Sequence, residues 1–195
     1  MPVGIDQRFS SAHLELNARL SSRQTVATTY TTVALPLISL ALLPTVPPLT
    51  TEIVAWLGLA LPVLGLTFSL WYAHNDLTIG LLSAFLRECE KLENGNSLPS
   101  WHSSSQGWME KALVYRRLSD WAFTVVLAGS ALPALINGIL KLPESRGVGV
   151  FLLLAAFCGV IAAAIVLLSH KQRIDLRKWG LITLNDKLVF QRMQQ

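Results

Sequence analysis

Six side chains in this chain, Glu88, Glu90, Glu93, Glu110, Asp120 and His102, supply the groups that general acid–base catalysis would need. Their spacing matches no hydrolase, kinase or nucleotidyltransferase signature, and no glycine-rich phosphate loop accompanies them. They read as solvated helix surface, and no enzymatic activity is expected. His13, His74, His102 and His170 are scattered, and Cys89 and Cys158 fall in different settings without a CxxC pair. No metal site, disulfide or cofactor follows.

A second group could bind rather than react. Arg116, Arg117, Arg173, Arg177 and Lys178 are interleaved with Trp101, Trp108, Tyr115 and Trp179. Cations beside aromatic rings hold phosphates while the rings stack bases, so these five are the candidate ligand-binding residues for a nucleotide or single-stranded oligonucleotide. The competing reading is that the rings are interfacial anchors and the cations merely flank a membrane.

A third group has helical spacing. Thr25, Thr28, Thr32, Pro36 and Ser39 fall on one side of a helix, and the hydroxyls of Thr25, Thr28, Thr32 and Ser39 could line a wetted pore or bond back to their own helix. Ala155, Gly159 and Ala163 recur every fourth residue, the spacing of a close helix contact within one protomer or between two.

The elements that must carry these groups are membrane helices. The 195 residues are 52% apolar and only 14% charged, with a mean hydropathy of +0.46. No Asp, Glu, Lys or Arg interrupts the intervals 24–51, 53–75, 121–140 and 147–170. Each is long enough for the ~30 Å hydrocarbon core at ~1.5 Å per residue. The expected fold is therefore all-α, with four transmembrane helices in two hairpins. The expected divisions are a cytosolic N-terminal segment (1–25), a first transmembrane hairpin (26–73), a cytosolic helical hairpin (74–120), a second transmembrane hairpin (121–169) and a cytosolic C-terminal helix (170–195). The first span is the least apolar and carries Pro36; a buried or re-entrant segment is its alternative. Pro62 and Pro133 interrupt two others, as hinges or as static bends. No ionisable group is expected within the bilayer, which argues against proton-coupled transport.

Charge sets the orientation. All but Lys141 and Arg146 of the 16 basic residues lie in the N-terminal, central and C-terminal segments, so both termini are expected in the cytoplasm. In the central segment Ile79, Leu82, Phe85, Leu86, Cys89 and Leu92 extend the second span inward as a helix ending near Asn94-Gly95-Asn96, and Ser103 with Gln106 resembles a capping box for its return. With the tail, whose Ile174, Leu181, Leu184, Leu188 and Val189 offer an apolar face, this makes a cytosolic helical domain.

Asp76-x-x-Ile79-x-x-Leu82-x-x-Phe85-Leu86-Arg87-x-x-Glu90, followed by Gly107-Trp108-Met109-Glu110, resembles a loose pattern in small bacterial multi-pass membrane proteins of mostly unassigned function. Proteins of this build are similar to the membrane effectors of the Hailong anti-phage defence system. That resemblance implies an oligomeric ion channel of the bacterial inner membrane, held closed by an oligonucleotide from a nucleotidyltransferase partner and opened when infection removes it. The alternative is a non-conducting scaffold or regulatory subunit that anchors a cytosolic partner.

The expected topology is directly measurable. In a background lacking native cysteines, cysteines placed at Thr45 and Ser145 should react with a membrane-impermeant reagent from the periplasm, and one at Ser104 should not. Periplasmic labelling at Ser104 would sink the four-pass arrangement.

Overall fold

The computed structural model describes residues 5–42, 51–94, 108–176, 179–184 and 187–192. Five helices dominate: α1 (Ile5–Leu42), α2 (Thr51–Asn94), α3 (Trp108–Gly129), α4 (Ala131–Lys141) and α5 (Arg146–Leu176). Among the described residues three stretches are long and apolar enough to cross a membrane: Trp56–Arg87 in α2, Arg117–Lys141 across α3 and α4, and Arg146–Leu176 in α5. The segment that carries the expected first span is not among them. It forms one continuous α1 with the N-terminal residues before it, so the boundary drawn at residue 26 is not a break in structure.

Helix α2 packs most extensively on α5, α1 lies along α2, and α4 lies against α5. Their shared core contains Val26, Tyr30 and Ala34 from α1, Leu61 and Tyr72 from α2, Phe123 and Leu127 from α3, and Ala162, Ala163 and Val166 from α5. Burial in α1 recurs at Val26, Tyr30, Ala34 and Ile38, the four-residue step of a helix with one face packed. A second, smaller core lies further along the same two helices, where Ala12 and Leu16 meet Ile79 and Leu86, flanked by Leu82 and Phe85. The C-terminal continuation of α2 is thereby packed against the start of α1.

Pro36 and Pro62 lie inside uninterrupted helices, whereas the expected third span is divided at Ser130. Pro133 has no N–H to donate to the carbonyl four residues back at Gly129, and the break falls beside that carbonyl. Ser130 remains tied to the preceding turn, its backbone N–H donating to Val126 and its hydroxyl to Leu127. Asn137 donates to the Pro133 carbonyl, so this polar side chain serves its own helix.

The C-terminal segment differs from expectation. Helix α5 ends at Leu176, and β1 (Trp179–Leu184) pairs antiparallel with β2 (Lys187–Arg192), Leu184 opposite Lys187 and Trp179 opposite Arg192. The apolar residues of this tail fit a helical period, but Trp, Ile, Thr, Val and Phe favour strands, and only Asn185 and Asp186 separate the two runs.

Glycines mark where the helices touch. A Cβ at Gly159 would lie 2.9 Å from the Ala131 Cβ, and one at Gly58 would lie 3.4 Å from the Ala134 Cα. Ala155 is buried with Ala131 and Ala134, while Ala163 enters the central core. The small-residue face of α5 is thus a contact inside the protomer. Gly159→Leu is expected to overpack the α4–α5 contact and cost about 1–3 kcal/mol, lowering the melting temperature in detergent with no change in subunit number. Unchanged thermal stability would show that the contact is not tight.

Candidate functional site

Four charged residues, one from each long helix and one from α3, meet where the two apolar cores adjoin. Arg23 follows Leu20 and precedes Val26 on α1; Asp76 stands between Tyr72 and Ile79 on α2. Asp120 comes from α3 and Arg173 from α5. All four are buried, with Asp76 fully enclosed and Arg173 only 2% exposed.

Their contacts interlock. Arg23 uses Nη1 to reach Asp76 Oδ1 at 3.0 Å and donates through Nη2 to Asp120 Oδ1. Arg173 donates through Nη1 to the same Asp76 oxygen and lies with Nη2 3.3 Å from Asp120 Oδ2. Each aspartate therefore serves both arginines. The Tyr72 hydroxyl also donates to Asp120 Oδ1, and the Arg23 guanidinium lies 4.9 Å from the centre of the Tyr72 ring. Gly80 admits the arrangement, since a Cβ there would come within 3.1 Å of Arg173 Cγ.

His170 stands at the edge, one turn before Arg173. Its Nδ1 is 2.7 Å from Arg173 Nη2 and 3.1 Å from Asp120 Oδ2. A guanidinium can only donate, so the shorter contact makes Nδ1 an acceptor and places the proton of a neutral ring on Nε2. A polar extension lies beside the layer: Asn75 donates to Ser22 Oγ and to the Trp71 carbonyl, and Arg19 reaches Asn75 Oδ1 at 3.4 Å.

Two formal positive and two formal negative charges cancel within this layer. Most of its polar atoms bond within the layer, though Asp76 Oδ2 and Arg173 Nε accept or donate no hydrogen bond. This mutual pairing suits a structural lock better than proton abstraction or nucleophilic attack. Among the described residues no three His, Cys, Asp or Glu side chains converge as a metal site.

The structure relocates several expected site residues. Asp120 is not solvated surface but an internal counter-ion. Arg173 is buried in the same layer and cannot belong to an open ligand-binding patch. Arg117 is exposed; Arg116 lies in α3, outside the residues whose side chains are described, and Arg177 and Lys178 lie outside the described residues. The side chains of Glu88, Glu90, Glu93, Glu110 and Cys89 lie outside the description as well, as do His102, Ser103 and Gln106.

Thr25, Thr28, Thr32 and Ser39 are brought together on the exposed face of α1, opposite Val26, Tyr30, Ala34 and Ile38. Thr25, Thr28 and Ser39 each donate to the carbonyl four residues back. The stripe therefore lies outside the protomer, with three of its hydroxyls satisfied by their own helix.

One signal of the ionic layer is present in the sequence. Each uncharged interval has a charged residue within three positions of one end, and in chain order these are Arg23, Asp76, Asp120 and Arg173. In an antiparallel bundle those positions share one level. No protein-family model matches this chain, and no curated protein or solved structure proves significantly similar to it.

Removing one member tests the lock. Asp120→Leu leaves a net positive charge in the layer and should cost about 3–5 kcal/mol. Because Arg23→Met restores neutrality, the double variant should lose less than the sum of the two single losses, by about 0.5–3 kcal/mol. Strictly additive losses in detergent unfolding would show that these residues do not act as a unit.

Proposed function

We propose that this chain is a four-pass protein of the bacterial inner membrane, with both termini cytoplasmic, that assembles into a homo-oligomer and conducts ions between its copies under the control of a phosphate-bearing ligand. The observation that carries this reading is the outward-facing hydroxyl stripe of α1. It lies on the one helix that completes the bundle without being as apolar as its partners. Such a face is better placed beside water or a second copy than beside lipid tails. The packed core and the ionic layer fill the protomer's interior, so a conducting path in this reading runs between copies, with α1 as its wall.

The distribution of basic residues supports the orientation. Arg23 and Arg173 are neutralised inside the bundle, yet the balance of the remaining Lys and Arg still favours the same face as cytoplasmic. The resemblance to anti-phage membrane effectors supports a role in abortive infection, with an oligonucleotide as the controlling ligand and a nucleotidyltransferase as its source. Arg116, Arg177 and Lys178 would contact such a ligand.

Ion flux into liposomes containing the purified oligomer decides between channel and scaffold. Thr32→Leu, at the centre of the stripe, should lower flux about tenfold if it raises the wetting barrier by ~1.4 kcal/mol. Thr29→Leu, off the axis of the stripe, should change it little. A folded oligomer that stays silent with and without its co-purifying ligand would replace the channel with a membrane scaffold.

A further inference from the structure

A groove between α3 and α5 lies just outside the ionic layer, on a different helix pair from the hydroxyl stripe. Trp121, Thr124, Val166 and Leu167 form its walls, with Arg117 and His170 beside them and Asp120 behind. The two helices run antiparallel, as the Asp120–His170 contact and the shared lining of Thr124 and Val166 require. Arg117 and His170 are therefore at one end of the groove and Thr124 and Val166 further along it.

Arg117 lies one helical turn before the uncharged interval 121–140, so in the proposed placement it stands where a spanning helix meets the headgroup region. It is exposed and forms no ion pair among the described residues. Asp120 does not oppose an anion here, because both arginines of the layer and Tyr72 occupy its carboxylate. The neighbouring surface is apolar: Trp121, Val125 and Leu168 are all more than half exposed in the single chain. A cation at one end and apolar walls along the rest complement a phosphate attached to an acyl chain.

We propose that this groove binds an anionic phospholipid, with Arg117 holding the headgroup phosphate and Trp121, Val166 and Leu167 seating the adjoining glycerol and first methylenes. The ligand would rest one side chain from the ionic layer, since His170 borders both the groove and Arg173. The inference rests on the bilayer placement proposed above and not on conductance; release of the protein by alkaline carbonate would overturn that placement separately.

The test uses the full chain in detergent, titrated with phosphatidylglycerol, phosphatidylcholine or inorganic phosphate, with retained lipid counted by native mass spectrometry. Phosphatidylglycerol should be retained in preference to phosphatidylcholine and should not be displaced by equimolar inorganic phosphate. Arg117→Gln should weaken its binding by about fivefold, the scale of one surface cation's attraction to an anionic leaflet. Arg117→Lys should keep most of it. Leu167→Glu, which places a carboxylate in the groove, should weaken binding as well, and provides a second probe if the Gln variant proves poorly folded. Equal retention of the two lipids, wild-type binding by a folded Gln or Glu variant, or displacement by free phosphate would each overturn the assignment.

Discussion

The layer of Arg23, Asp76, Asp120 and Arg173 is the constraint on which the bundle depends. A lone charge among these helices would be costly, and each becomes tolerable only when the other helices deliver the opposite charge to the same level. Neutrality within the layer therefore fixes the axial register of α1, α2, α3 and α5 together. A one-turn slip of any of them, about 5.4 Å, would pull its charge away from both partners. Apolar packing alone does not impose such a penalty, because a greasy helix finds other greasy contacts after sliding.

With the register set, the close contacts follow. Gly80 permits Arg173 to lie against α2, Gly65 leaves room for Tyr30, and Gly159 meets Ala131. The Tyr30 hydroxyl donates to the Leu61 carbonyl, joining α1 to α2 one turn before Gly65. Tyr72 serves both environments: its hydroxyl binds Asp120, and its ring packs 4.9 Å from that of Phe123 in the core. The transition from charged layer to apolar core is thus made by amphipathic side chains, with His170 leading outward to the groove beside Arg117.

This division bears on function. A rigid interior leaves the outer faces as the surfaces through which the protein meets lipid, ligand or another copy. The hydroxyl stripe on α1 and the cation-capped groove between α3 and α5 are chemically different surfaces, and they suit different neighbours. In the proposed assembly the first faces the path between copies and the second faces an anionic lipid.

Much of the helical architecture was legible in the sequence because hydropathy and helical period are local. The long uncharged runs marked four helices, of which three are long and apolar enough among the described residues to cross a membrane; the three- and four-residue spacing of Ile79, Leu82, Phe85 and Leu86 marked the continuation of α2, and Pro133 marked a weak point in the third span. The direction in which each face turns was not local. Arg23 finds Asp120, and Asp76 finds Arg173, each across 97 residues of chain, so charges that read as ordinary flanks became a buried lock. Ala155, Gly159 and Ala163 announced a close contact, but only the position of α4 decided that it lies within the protomer. The Thr25 to Ser39 spacing announced a stripe, and packing of the opposite face of α1 decided that it points outward. The tail carried apolar residues compatible with either period, and pairing of its two halves decided for strands. Sequence specifies which residues share a face; tertiary packing decides what that face meets, because partners are chosen by register and charge balance across the whole bundle.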